Sequence, residues 1–153
     1  MVKNKNEFLP IRNLETKKVA YVKLGDADGS VFFNELKKYA KVHEVKADKL
    51  DELLTKLQNY NTVIIGFHKS NANPWKDFKF SQKEMAWLYE IARTNTVVLD
   101  IFARPYALND LLSTENIEGV VMSYQNSRVQ AHCYSESGRC CGLDARSGAA
   151  KSL

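Results

Sequence analysis

Asn61-Thr-Val-Ile-Ile-Gly-Phe-His68 is a short apolar run rich in β-branched residues, with polar Asn59 before it and a polar loop after it. A run of that length and composition reads as a strand buried on both faces, the centre of a parallel sheet. Two similar runs flank it in sequence, Val19-Ala-Tyr-Val-Lys-Leu24 and Thr96-Val-Val-Leu-Asp-Ile-Phe102. Helical patterning separates each from the next.

Working outward, residues 18–24 are the first strand and residues 31–41 a helix. Val31, Phe32, Leu36 and Tyr39 recur there at helical spacing. Between them lies the turn Gly25-Asp-Ala-Asp-Gly-Ser30, whose Asp28 or Ser30 can accept from free N–H groups at the helix start. Residues 42–46 form a short, partly polar strand suited to a sheet edge. A helix over 47–60 carries Leu50, Leu53, Leu54 and Leu57 as one apolar stripe. Ser81-Gln-Lys-Glu84 has the capping-box pattern and opens a helix to about Thr94, with Met85, Leu88, Ile91 and Ala92 inward. A short helix over 107–112 and a strand over 117–124 complete the pattern. This β-α alternation with short connections predicts an α/β three-layer sandwich. Its five-stranded, mostly parallel sheet has the order 2-1-3-4-5, a flavodoxin-like arrangement.

Residues 1–16 read as a linker, 17–126 as the domain and 127–153 as an atypical tail. The tail has little apolar periodicity and holds all three cysteines, Cys133, Cys140 and Cys141. It is either a disordered end or the product of a disturbed reading frame near Ser127. An odd number of cysteines makes a poor disulfide framework, and adjacent Cys140 and Cys141 lack the spacing that brings two thiolates to zinc.

The chain has 153 residues, 44% of them hydrophobic, enough for one ordinary domain. Its net charge of +4 is scattered, unlike the concentrated basic stripe of a nucleic-acid binder. No stretch approaches the ~20 apolar residues of a membrane span. The first ten residues lack the apolar core of a signal peptide.

The motif search gives a few candidates. Gly25-Asp-Ala-Asp-Gly29 has the wrong spacing for a phosphate loop, and its aspartates repel phosphate. As a calcium loop it offers Asp26, Asp28 and Glu35, but Leu24 stands at the first ligand position. His68 closes the central strand, which in open α/β sheets points toward the ligand crevice. With Lys69, Ser70 and the Trp75 loop it is the foremost contact candidate. Arg104 and Tyr106 follow the strand ending at Phe102 and can bind an anion or pack against another domain. No G-x-S-x-G elbow presents a serine nucleophile. His43 sits on an edge strand. Asp77, Asp100 and Glu84 form no diagnostic carboxylate pair.

Taken as a set, these runs resemble a known family. Leu9-Pro-Ile-Arg-Asn-Leu14 followed by Lys17-Lys-Val-Ala20 is similar to the entry into the second domain of family 3 glycoside hydrolases, in particular the bacterial β-N-acetylglucosaminidase branch. Asn61 to His68, Val98-Leu-Asp-Ile-Phe-Ala-Arg-Pro-Tyr-Ala-Leu108 and Glu118-Gly-Val-Val-Met-Ser-Tyr-Gln-Asn126 resemble its successive strand motifs. The resemblance covers residues 9–126. It implies a partner, an N-terminal (β/α)₈ barrel that holds the aspartate nucleophile and a histidine acid/base; neither is in these residues. It therefore implies no catalytic residue here, no cofactor and no metal. Carbohydrate is met only through the parent enzyme, one of the periplasm or the exterior. His68, Trp75, Arg104 and Tyr106 become candidates for the cleft or the barrel-facing surface. Arg128-Val-Gln-Ala-His-Cys-Tyr-Ser-Glu-Ser137 stands where the family continues into an apolar helix. The competing reading is a stand-alone flavodoxin-like ligand-binding or interaction module.

Overall fold

In chain order the strands are β1 (Lys3–Asn4), β2 (Val19–Leu24), β3 (Val42–Glu44), β4 (Thr62–His68), β5 (Thr96–Phe102) and β6 (Ile117–Met122). The α-helices are α1 (Ser30–Tyr39), α2 (Leu50–Leu57) and α3 (Gln82–Thr94), and a 3₁₀ turn spans Lys5–Glu7. These come from a computed structural model that describes residues 2–9, 11–70, 80–104, 109, 111 and 113–123.

One mixed sheet runs β1-β6-β5-β4-β2-β3. β2 through β6 pair in parallel, and β1 pairs antiparallel with β6 through Lys3↔Val120 and Asn4↔Gly119. The expectation of five strands is thereby corrected to six, with β1 as a new edge. Lys3 and Asn4 carry no strand signal of their own. They pair because β6 presents an open edge, and because the Asn4 amide both donates to the Leu9 carbonyl at 3.0 Å and accepts from its N–H at 2.8 Å. That clamp turns the chain back onto the sheet.

All seven residues of β4 are buried, because the sheet is covered on both sides. One face packs Ala20, Val22, Val63, Ile65 and Leu99 against Leu53 and Leu57 of α2 and Leu88 and Ile91 of α3. The other packs Tyr21, Ile64, Val98 and Val121 against Phe32 and Leu36 of α1. Leu9, Ile11 and Leu14 join this second core, so the segment expected to be a linker packs as part of the fold. Gly119 makes room for it: a Cβ there would come within 2.6 Å of Leu9 Cδ1. A bulge at Glu118 shifts the register so that Val97 faces Ile117 and Val98 faces Gly119.

Helix α2 is shorter than the expected span of 47–60. The Val45 N–H still donates to the Tyr21 carbonyl at 2.9 Å, which keeps the chain extended past β3, and a Tyr60 to Leu57 bond of 3.0 Å closes the helix. The capping box of α3 is present in full: Ser81 N–H donates to Glu84 Oε2 at 2.8 Å and Glu84 N–H to Ser81 Oγ at 3.2 Å. Most of the helix expected over 107–112, and the whole tail from 127, lie outside the described residues. Among the described residues no helix is long and apolar enough to cross a membrane.

Candidate functional site

The chain reverses its direction of winding between β2 and β4. Their carboxyl ends therefore flank the place where open α/β sheets form a crevice. β2 runs into the loop Gly25–Gly29 and β4 ends at His68, so these residues decide what the crevice holds.

It holds the chain itself. Gly25 has φ +93, a conformation that glycine adopts without strain. This sends the loop across the end of β4. The Ala27 N–H donates to the His68 carbonyl at 3.1 Å, and Lys23 Nζ donates to the Ala27 carbonyl at 2.8 Å. Ser70 N–H reaches Asp26 Oδ1 at 3.4 Å. Beneath this loop the His68 side chain is 0% exposed. It stacks on Phe102 with ring centroids 4.5 Å apart and lies 6.0 Å from Phe32. Its Nε2 shares a hydrogen bond of 2.7 Å with the Tyr21 hydroxyl. The expectation that His68 opens onto a crevice is corrected: the loop after β2 seals it inside the second core.

Two glycines shape that pocket for the imidazole. A Cβ at Gly66 would stand 2.5 Å from His68 Nε2, and one at Gly29 2.9 Å from the same atom. The Tyr21 phenol is pushed above its ordinary value, first by burial and then by the charges of Glu44, Asp100 and Asp28. It therefore stays protonated beside the imidazole. The pair fixes the loop; no described gap brings a substrate atom to it.

A second buried polar pair lies on the same face, across Gly66. Asp100 is registered with Gly66 on β4 and with Val121 on β6. Ser123 Oγ donates to Asp100 Oδ1 at 3.1 Å, and both residues are buried. Asp100 Oδ2 has no hydrogen-bond partner among the described residues. Burial raises the Asp100 carboxyl well above the usual range, against a smaller opposing effect of the Ser123 bond. This pair joins two of the strand motifs quoted above.

The carboxylates of the suggested calcium loop do not converge. Asp28 accepts from Ser30 N–H at 3.0 Å and from the Ser30 hydroxyl, which hold its carboxyl below the ordinary value. Glu35 pairs with Lys38 at 2.7 Å. Among the described residues no group of three or more candidate ligands could hold a metal ion. Lys69 Nζ lies 3.8 Å from Glu84 and over the Phe67 ring, tying the end of β4 to the start of α3. Arg104 is exposed at the same pole. Trp75 and Tyr106, the other two candidates, lie outside the described residues, as does Asp77.

The sequence matches no protein-family profile and no curated protein. Among solved structures the fold resembles part of a fungal multi-domain family 3 β-N-acetylglucosaminidase described as having a GCN5-related glucosamine N-acetyltransferase region. The TM-score is 0.67 at 17% identity, covering 92% of this chain and 16% of that one. A flavodoxin-like domain from Synechococcus is also similar, with a TM-score of 0.49 at 15% identity over 88% of this chain and 99% of that one. The chain thus spans about a sixth of the first neighbour's length. At these identities the likeness is one of fold.

Sequence reasoning missed Tyr21 as the partner of His68. The signal was available in part: Tyr21 and Val19 alternate with Ala20 and Val22, so a polar tip on an otherwise apolar face calls for a buried partner.

Proposed function

We propose that this chain is the non-catalytic C-terminal α/β domain of a retaining family 3 glycoside hydrolase of the β-N-acetylglucosaminidase type. The parent hydrolyses terminal β-linked N-acetylglucosamine through a covalent glycosyl-enzyme, with both catalytic groups on its barrel. The observation that carries this reading is that 92% of the chain finds its fold inside a family 3 β-N-acetylglucosaminidase. The sealed His68 and the hydrogen-bonded acids of the β2–α1 loop support it, since they give the domain a structural pole and leave the chemistry to a partner. Exposed Arg104, with Trp75 and Tyr106, belongs to the surface turned toward the barrel or the cleft; His68 acts on that surface only through the loop it holds.

The test has two parts. The isolated chain is assayed on an aryl N-acetylglucosaminide, where no turnover above buffer is expected. The DNA contiguous with the coding sequence is read for a barrel upstream and, in all frames, for an apolar helix after Ser127. Enzyme-like turnover by the chain alone contradicts the assignment, as does an upstream region with no barrel. Tight binding of a flavin by the isolated chain would favour a stand-alone module.

A further inference from the structure

We propose that the cavity at the amino-terminal pole of the sheet, remote from the His68 pole, binds a small carbohydrate that carries a negative charge. This goes beyond the domain assignment and stands on the residues of that pole alone.

The cavity measures about 600 Å³ and opens to solvent. It lies where β2, β3 and β4 begin, between the segment 14–18, the end of α1 and the turn before β4. That volume falls within the roughly 300–1,000 Å³ of small-molecule sites. Lys18, in the lining, is tied to the start of β4: its N–H donates to Asn61 Oδ1 at 3.0 Å and the Asn61 N–H donates to the Lys18 carbonyl at 2.9 Å.

Three rings line it. Tyr39 and Tyr60 are half-buried, and the His43 and Tyr60 rings lie 5.9 Å apart and tilted. The negative face of an aromatic ring attracts the partly positive C–H edge of a sugar ring. Thr16 and Asn59 add hydrogen-bonding groups at the rim; Thr16 Oγ1 donates to Asn13 O and keeps its lone pairs for a hydroxyl donor. A polar rim around aromatic faces suits a polyhydroxylated ring better than a flat hydrocarbon one. Lys18 and Lys41 also line it and are exposed, and neither makes an ion pair among the described residues. The lining also holds Lys17 and one carboxylate, Glu15; with Lys17, Lys18 and Lys41 against Glu15 the cavity keeps a net positive charge, which favours an acidic sugar. A carboxylate and a phosphate both answer to that charge.

The experiment titrates the full ¹⁵N-labelled chain with glucuronate, glucose 6-phosphate, glucose and benzoate, following backbone amide shifts. Both acidic sugars are expected to move the amides of Lys18, Lys41 and Tyr60 and to bind at least ~10-fold more tightly than glucose. The tighter of the two identifies the preferred anion. Lys41→Gln, at an exposed site, is expected to lose most of that ~10-fold advantage. Tyr60→Leu is expected to weaken every sugar; if it disturbs the fold, seen as loss of amide dispersion, Tyr39→Leu takes its place and Lys41→Gln still decides. Absence of shifts at these amides, benzoate binding as tightly as glucuronate, or unchanged affinity in Lys41→Gln would each overturn the proposal. None of these results bears on the presence of a barrel upstream, so the two readings fail separately.

Discussion

Gly66 occupies a point where any side chain would collide with two others: its Cβ would lie 2.5 Å from His68 Nε2 and 2.8 Å from the Tyr21 hydroxyl. Both neighbours are fully buried and hydrogen-bonded to each other, so neither can move cheaply. Gly66→Ala should therefore destabilise the domain by about 1–3 kcal/mol in urea unfolding, as overpacking does. Asp100 makes a different case, a group whose contribution depends on pH. Its folded carboxyl is raised by burial, so the fold keeps a proton that the unfolded chain releases. Its stabilising contribution is then full below the ordinary carboxyl range and is lost as pH rises from there toward the raised folded value. Asp100→Asn keeps an acceptor for Ser123 and removes this dependence. The stability of the variant relative to the native chain should rise as pH climbs from the ordinary carboxyl range toward the raised folded value. A flat difference across that range would show that Asp100 is not held protonated. At this scale the sequence was partly legible. His68 was identifiable as the end of a buried strand. What covers it comes from a loop about forty positions earlier, and Tyr21 and His68 stand 47 positions apart. Local pattern carries no record of a contact at that distance.

Among the elements, the helices and the parallel strands follow from local chemistry. The Ser81–Glu84 box was readable from four residues and is fully formed. Ser81→Ala should cost about 1 kcal/mol of stability, measured by chemical denaturation. The N-terminal segment was not readable in this way. Its polar composition suggests a linker, yet Leu9 is 4% and Ile11 0% exposed, and β1 pairs with β6. Burial there depends on a glycine in another strand, Gly119, and on the Asn4 clamp, and neither is a periodic signal. Leu9→Ala should accordingly cost about 2–4 kcal/mol, as buried leucines do. A cost below about 0.5 kcal/mol, the surface value, would mean that the segment is only loosely attached.

For the whole molecule, the class of fold was legible because β-α alternation leaves few topologies open. The sheet's sixth strand was not, since two polar residues pair only because β6 offers an edge. Among the described residues Val2, at 54%, is the exposed large hydrophobic side chain, so these residues present no broad apolar face. The fungal neighbour shares this fold, and the barrel beside it is what the proposed assignment adds. The most direct measurement joins the chain to one. A family 3 β-N-acetylglucosaminidase barrel is expressed alone and fused to residues 1–126, and kcat/KM is measured on an aryl N-acetylglucosaminide. A supporting second domain predicts that the fusion exceeds the bare barrel at least ~10-fold, and that Arg104→Ala reduces the gain. A fusion no more active or stable than the barrel alone would contradict the assignment.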